Sequence, residues 1–159
     1  MAFMEDAGYY CIDNMPPELM STFVSLLANN SEYYPKVAMV VDIRSGYVFE
    51  KIIASIDSVE QYGYTCKIVY LDINDTEALK RYKLTRRKHP FADKFNGNIQ
   101  NALDYEREIL APLRLKADHI IDTSGIDTHQ LRARLTELLM GDAKEYICLL
   151  YTSPSPRDR

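Results

Sequence analysis

The 159 residues of the chain suffice for one domain with a sizeable core, and its content of 47% hydrophobic and 26% charged residues is typical of a soluble globular protein. The chain lacks both a run of about 20 apolar residues that could cross a membrane and the basic-then-apolar start of a signal peptide, so we expect a cytoplasmic protein. A net charge of −4 argues against attraction of the whole surface to nucleic acid.

The first predicted strand lies close to the amino terminus. Gly8 precedes the apolar residues Tyr9–Ile12, and this run stops at Asp13–Asn14. Pro16–Pro17 come next, and proline suits the first turn of a helix because no backbone N–H is needed there. We therefore expect a short strand followed directly by a helix.

The same pattern of an apolar strand that ends in an acid recurs along the chain. Strands are predicted at 36–42 (KVAMVVD), 65–72 (TCKIVYLD) and 119–124 (HIIDTS), and the first two have the continuous apolar character of strands buried on both faces of a parallel sheet. Apolar residues at helical spacing predict the intervening helices, which are one from about 49, a basic one at 76–88, a long one at 99–117 and a closing one that ends near 141.

This alternation predicts an α/β fold of three layers. Parallel neighbours need crossover connections, which helices supply, so a mostly parallel sheet should carry helices on both faces. Ligands of such folds bind at the carboxyl ends of the strands. The acids expected at these ends are Asp13, Asp42, Asp72 and Asp122.

Asp42 is the first candidate for a binding residue. In nucleotide-binding proteins with a phosphate loop, an aspartate after an apolar strand holds Mg²⁺, usually through water. Arg44 and Ser45 follow it, and a guanidinium and a hydroxyl both suit phosphate oxygens or a nucleotide's base and ribose. The alternatives are that Asp42 caps the next turn and that Arg44 pairs with a neighbouring acid.

The segment KRYKLTRRK at 80–88 holds six cations and no acid. A solvated face is the common explanation for such a run, but the missing acids favour a polyanion site equally. In small kinases of this architecture, arginines in a lid close over the transferred phosphates, and Arg81, Arg86 and Arg87 suit that role. His89 is interpreted as a helix stop.

Asp13 is a candidate for contact with a second ligand. At the end of the first strand it could accept a proton or bind a hydroxyl, which makes it a candidate catalytic residue. Alternatively, one residue of the pair Asp13–Asn14 caps the following helix.

Several motifs in order resemble the amino-terminal domain of the RapZ family of nucleotide-binding RNase adapter proteins, a fold of the phosphate-loop kinase type. They are MEDAGYYCIDNMPPEL, VVDIRS, IVYLDINDTEALKRYKLTRRKHPF, the stretch from Glu106 to Ser124 and the leucine-rich closing helix. The resemblance covers about residues 4–141. It implies binding of ATP and GTP, with Asp42, Ile43, Arg44 and Ser45 matching the guanine-nucleotide segment, and a modest NTPase activity with Mg²⁺.

The resemblance also implies contacts with other macromolecules, most of them outside this domain. Regulatory RNA and a ribonuclease are expected to bind mainly through a second domain, and the family is expected to form homo-oligomers. No membrane association is implied.

The family's first strand and its phosphate loop, of the form GxxxxGK[ST], do not occur in this sequence. We therefore expect a domain at 1–147 that is truncated at both ends and impaired in nucleotide binding, followed by a disordered, non-native tail at 148–159. Loss of a central strand predicts weak stability, or a collapsed sheet in which KVAMVVD pairs directly with TCKIVYLD.

Two other functions remain open at this point. The chain could belong to a small-molecule kinase in which Asp13 acts on the acceptor hydroxyl. It could also be an RNA-interaction module that uses the basic helix at 80–88, although its overall acidity disfavours this.

Overall fold

A computed structural model describes residues 2–41, 48–85, 88–139 and 145–151, with residues 48–49 and 145–151 described by their backbone alone. Five strands lie within these ranges, and all of their pairings are parallel. They are β1 (Tyr10–Met15), β2 (Lys36–Val41), β3 (Thr65–Asp72), β4 (His119–Asp122) and β5 (Glu145–Tyr151). They form one sheet in the order β1-β2-β5-β3-β4.

Helices cover both faces of this sheet, so the predicted three-layer α/β architecture is confirmed. The described helices are α1 (Ala2–Asp6), α2 (Pro17–Ala28), α3 (Val48–Gln61), α4 (Asp75–Thr85), α5 (Ile99–Lys116) and α6 (Thr128–Leu138). Residues of α2, α3 and α5 pack on one face of the sheet. Residues of α1 and α6 pack on the other face.

The alternation of side chains along β2 and β3 builds a core on each side of the sheet. Val37 and Met39 pack on the face that α2 and α3 cover, whereas Ala38 and Val40 pack on the opposite face. Successive side chains of a strand point to opposite faces, so a strand covered on both sides must be apolar at every position. This explains the continuous apolar run in the sequence.

The first helix-strand boundary differs from the prediction. Pro17 does begin α2, but β1 continues through Asp13 and Asn14 to Met15 instead of stopping at Ile12. The strand pairing shifts by one residue between Ile12 and Met15, and Asn14 has a φ of +52°. An inserted residue of this kind is a bulge, which bends an edge strand near its end.

The predicted direct pairing of KVAMVVD with TCKIVYLD is wrong. β5 lies between β2 and β3, with Ala38 and Lys67 as the Cα partners of Ile147 on its two sides. Each of the two inner edges therefore has a hydrogen-bonded neighbour. The last strand of the chain occupies the position where a gap was expected.

This placement also corrects the expected boundary of the disordered tail. Residues 148–151 belong to β5 and pair with β2 and β3, whereas the prediction assigned all of 148–159 to a disordered segment. Residues 152–159 lie outside the described ranges. The two Ser-Pro steps, which predict disorder, lie at 153–156 and thus after β5. The apolar residues CLLY at 148–151 have a composition that suits a buried strand.

Candidate functional site

The carboxyl ends of the parallel strands meet at one edge of the sheet, as predicted. Asp72 and Asp122 are the last residues of β3 and β4, and their Cα atoms are paired across the two strands. Val41 ends β2 at the same edge and is buried. Residues from three strands therefore share the edge where ligands of this architecture bind.

Asp42, Ile43, Arg44 and Ser45, the predicted nucleotide-binding residues, lie outside the described residues. Their position in the chain is nevertheless informative, since Asp42 directly follows the buried end of β2. Their roles, including that of Asp42 as the Mg²⁺ ligand, stay predictions. Within the described ranges, no group of three His, Cys, Asp or Glu residues lies close enough to hold a metal ion.

Asp13 lies in the bulge of β1 and is exposed. Its Oδ1 accepts a hydrogen bond of 2.8 Å from the backbone N–H of Asn14. The residue at the N-cap of α2 is Pro16, which has no side-chain cap hydrogen bond. Neither Asp13 nor Asn14 therefore occupies the N-cap position, and the predicted contact of Asp13 with a second ligand stays a prediction.

Two arginines of α5 contact residues at this edge, and neither is among the predicted site residues. Nε of Arg114 lies 3.2 Å from Oδ2 of Asp72, and Nη2 of Arg107 donates to the carbonyl of Ile73. Arg107 also forms an ion pair with Asp75 at the start of α4. The helical spacing from 107 to 114 places both arginines on one side of α5, which was the available signal.

A cavity of about 460 Å³ lies between these arginines and the strand ends. Tyr70, Ala111 and Ile120 contribute apolar surface to its lining, and Asp72 and Asp122 contribute carboxylates. Hydrogen bonds from Ser124 lower the pKa of Asp122, and the charge of Arg134 adds to the effect. Two carboxylates and two guanidiniums therefore line this cavity.

Arg81, a predicted lid residue, is a buried cation. Its side chain is 2% exposed and its Nε lies 3.2 Å from Glu77. Its Nη2 donates a hydrogen bond of 2.8 Å to the carbonyl of Thr123, just beyond β4. Contact with a phosphate would require buried Arg81 to become accessible, so its lid role stays a prediction, and Arg86 and Arg87 lie outside the described residues.

The basic helix is therefore not uniformly exposed. Lys80 and Lys83 are exposed on α4, whereas Arg81 and Tyr82 are buried. Sequence spacing alone could not distinguish the exposed lysines from buried Arg81, because the carbonyl to which Arg81 bonds lies 42 residues away in the chain. The solvated face of this helix therefore does not include Arg81.

His89 is a second buried polar residue, and its interpretation as a mere helix stop is incomplete. Its Nε2 lies 2.8 Å from Oε2 of Glu106 on α5, and neither side chain is more than 1% exposed. Nδ1 accepts a hydrogen bond of 3.1 Å from the N–H of Phe91. In the neutral ring Nε2 therefore carries the hydrogen and donates it to Glu106.

The comparison with known proteins agrees with the resemblance seen in the sequence. The family model for the RapZ-like N-terminal domain matches residues 1–143. None of the helices in the described ranges is both long and apolar enough to cross a lipid bilayer.

Several relatives carry the name nucleotide-binding protein. One from Alkaliphilus oremlandii is 41% identical over 86% of this chain and 46% of its own length. One from Finegoldia magna is 42% identical over 83% of this chain and 46% of its own length. One from Heliobacterium modesticaldum is 34% identical over 98% of this chain and 53% of its own length.

The chain thus spans about half the length of the relatives that it matches. The family match covers most of the chain and includes β1 to β4 with the intervening helices. On this evidence the chain belongs to the RapZ-like N-terminal domain family.

Proposed function

We propose that this domain binds ATP and GTP, as Mg²⁺ complexes, at the carboxyl edge of its sheet, and that the binding is weak because the sequence lacks the GxxxxGK[ST] loop. The observation that carries the proposal is the shared edge of the parallel strands, where Asp72 and Asp122 lie side by side and Asp42 directly follows buried Val41. The name nucleotide-binding protein, which several relatives carry, supports it.

In this proposal the residues predicted to hold the metal ion, the nucleotide and the phosphates have different roles. The carboxylate of Asp42 holds hydrated Mg²⁺, and the ion offsets charge on the phosphate oxygens when it is bound. Arg44 and Ser45, with the backbone at Ile43, contact the nucleotide. Arg86 and Arg87 offset the remaining phosphate charge, and Arg81, which is buried, joins them only if it becomes accessible.

For the family we infer a modest hydrolysis of ATP and GTP, which depends mainly on positioning and on charge stabilisation of the phosphates. This sequence lacks the GxxxxGK[ST] loop that would contribute to both, so we expect this chain to be inactive. At the level of the whole protein, we infer a cytoplasmic RNase adapter whose contacts with regulatory RNA and a ribonuclease lie in a second domain.

The test is an equilibrium titration of the chain with ATP and with GTP, each measured with Mg²⁺ and with EDTA. We expect Mg²⁺ to strengthen binding and Asp42→Asn to abolish that gain, because the amide cannot supply the anionic ligand. Asp57→Asn is the matched control, since it removes the same charge from an exposed site on α3.

Three results would contradict the proposal. They are no binding of either nucleotide by the unmodified chain, an unchanged Mg²⁺ effect in Asp42→Asn, and an equal loss in both variants. A phosphorylated small molecule found by product screening would instead favour the kinase alternative. Binding of RNA that weakens steeply with salt would favour the RNA-interaction alternative.

A further inference from the structure

The cavity of about 460 Å³ between α5 and the strand ends contains arginines that the proposed nucleotide site does not use. Three of its lining residues, Arg107, Ala111 and Arg114, recur at helical spacing on one side of α5. The small side chain of Ala111 leaves open space between the two arginines. A cavity of this volume falls within the range of small-molecule sites.

The two strands contribute an apolar row and an acidic row to the opposite wall. Tyr70 and Ile120, which we call the apolar row, are Cα partners across β3 and β4, and Asp72 and Asp122 are partners two residues further on. Side chains two residues apart on a strand point to the same face, and all four residues line the cavity. β4 is the last strand in the sheet order and Ile120 is 46% exposed, so the cavity is open to solvent at this edge.

The two arginines differ in the donors that they leave for a ligand. Arg107 is engaged by the carbonyl of Ile73 and by the carboxylate of Asp75. The side chain of Arg114 is 48% exposed, and in the described part of the chain only its Nε has a hydrogen-bond partner, which is Asp72. A guanidinium has five N–H donors in a fixed fork, so the two terminal nitrogens of Arg114 can donate to an anionic group in the cavity.

Asp122 provides the opposite charge at the other side of the cavity. Its side chain is exposed, and hydrogen bonds from Ser124 lower its pKa from 3.8, so the carboxylate is ionised at neutral pH. Neighbouring strands lie about 5 Å apart. The carboxylate of Asp122 and the guanidinium of Arg114 therefore flank Asp72 closely enough for one small molecule to contact both.

The charges of the lining restrict the class of ligand. Asp72 and Asp122 balance Arg107 and Arg114, so the described lining has no net charge. An ion of one sign would gain little from the cavity as a whole, whereas a zwitterion can pair each of its charges with an opposite one. The apolar row beside these charges offers contact area for an apolar group. A free α-amino acid carries a carboxylate, an ammonium group and a side chain on one carbon, so it presents all three features together.

We propose that this cavity binds a free α-amino acid with an apolar side chain. The carboxylate of the amino acid accepts hydrogen bonds from the terminal nitrogens of Arg114, and its ammonium group donates to Asp122. Its side chain lies against the apolar row. None of the described residues that line the cavity contacts the nucleotide in the function proposed above, so this second site does not depend on nucleotide binding.

A ligand-observed NMR titration of the full chain with L-leucine tests the proposal. We expect saturable binding, and a dissociation constant at least about 10-fold higher for Arg114→Gln and for Asp122→Asn, because each variant loses one charged hydrogen-bond partner. The matched controls are Arg132→Gln and Asp57→Asn, which change exposed residues of α6 and α3 and should leave binding unchanged. Circular dichroism checks that each variant folds.

Two leucine derivatives test which charge each residue recognises. L-Leucinamide lacks the carboxylate, so it should bind the unmodified chain more weakly than L-leucine and should bind Arg114→Gln no more weakly than the unmodified chain. N-Acetyl-L-leucine lacks the ammonium group, so it should show the same behaviour with Asp122→Asn.

A further variant tests the cavity without a change of charge. Ala111→Phe fills the space between the two arginines and should abolish binding of L-leucine, and Ala111 is exposed on α5, so the larger side chain leaves the core intact. The absence of saturable binding of L-leucine and of L-phenylalanine up to about 10 mM would overturn the proposal. Equal effects of the cavity variants and their controls would overturn it as well, and so would displacement of L-leucine by ATP, because the cavity would then belong to the nucleotide site.

Discussion

His89 and Glu106 connect two parts of the chain that are separated by 17 residues. His89 follows the basic segment and Glu106 lies in the middle of α5, so their bond attaches the end of that segment to a helix of the core. The rings of Tyr82 and Phe91 lie 5.2 and 5.9 Å from the imidazole. A buried carboxylate in such apolar surroundings depends on its hydrogen-bond donors.

His89→Ala should therefore destabilise the fold by about 2–4 kcal/mol, because buried Glu106 loses its donor at 2.8 Å. Urea unfolding followed by circular dichroism measures the change. His129→Ala serves as the control, since His129 is exposed on α6, and it should cost less than about 0.5 kcal/mol. Equal losses in the two variants would contradict a structural role for the buried pair.

Cys11 should react slowly with thiol reagents. Burial raises the pKa of its thiol from 9.0 to about 11, and Glu5 adds to the shift. At pH 8 the folded chain should react about 100-fold more slowly at Cys11 than the urea-unfolded chain, because the thiolate is the nucleophile. Mass spectrometry of peptides after timed alkylation assigns the rate to Cys11.

The same shift has a consequence for stability. The folded state keeps the Cys11 proton up to about pH 11, whereas the unfolded state loses it near the ordinary value of 9.0. The stabilising contribution is therefore complete below about pH 9 and decreases as the pH rises from about 9 to about 11. Equal alkylation rates of Cys11 in the folded and unfolded chains would contradict the raised pKa on which both predictions depend.

At the scale of elements, β5 joins the two halves of the sheet. β2 and β3 do not pair with each other, and each pairs with β5 along most of its length. The backbone hydrogen bonds of a central strand are shielded from water, so losing one leaves a buried polar group without a partner. The sheet therefore depends on β5, the last strand within the described residues.

A proline in β5 should weaken the whole domain. Ile147→Pro removes a backbone donor in the middle of a strand that is paired on both sides. Compared with Ile147→Ala, which keeps the donor, it should lower the free energy of unfolding by about 1–3 kcal/mol or more. Urea unfolding of the two variants measures the difference.

Hydrogen exchange provides an independent check of β5. Backbone amides at 147–150 should exchange as slowly as those of β3, because both strands lie within the sheet. Fast exchange at 147–150, or equal stability of the proline and alanine variants, would mean that this segment does not hold the sheet together.

At the scale of the whole molecule, the proposed nucleotide site lies at the carboxyl edge of the sheet, where the ends of β3 and β4 lie side by side.

The stability of the molecule is connected to the same architecture. Weak stability was predicted from a gap of one strand in the sheet, and β5 fills the position of that gap. The described sheet therefore has no gap that would make the fold unstable. The free energy of unfolding itself stays a prediction that the urea experiments would measure.

Local patterns in the sequence determined the elements and the fold class. β3 extends over 65–72, as predicted, because an apolar run between a turn and an aspartate specifies a buried strand without help from distant residues. The start of α2 at Pro17 follows equally from the fixed φ angle of proline and its missing N–H. Alternation of such elements leaves few topologies other than a parallel sheet with helices on both faces.

Contacts between distant residues decided the rest. Nothing near Arg81 in the sequence marks it as buried, since the carbonyl of Thr123 to which it bonds is brought close by the pairing of β4 with β3. Likewise the position of β5 depends on its pairing with β2 and β3, which lie far from it in the sequence. The spacing and composition of a sequence show which residues are apolar and on which side of a helix or strand they lie. A buried polar hydrogen bond, or the place of a strand in the middle of a sheet, depends instead on a partner that is distant in the sequence.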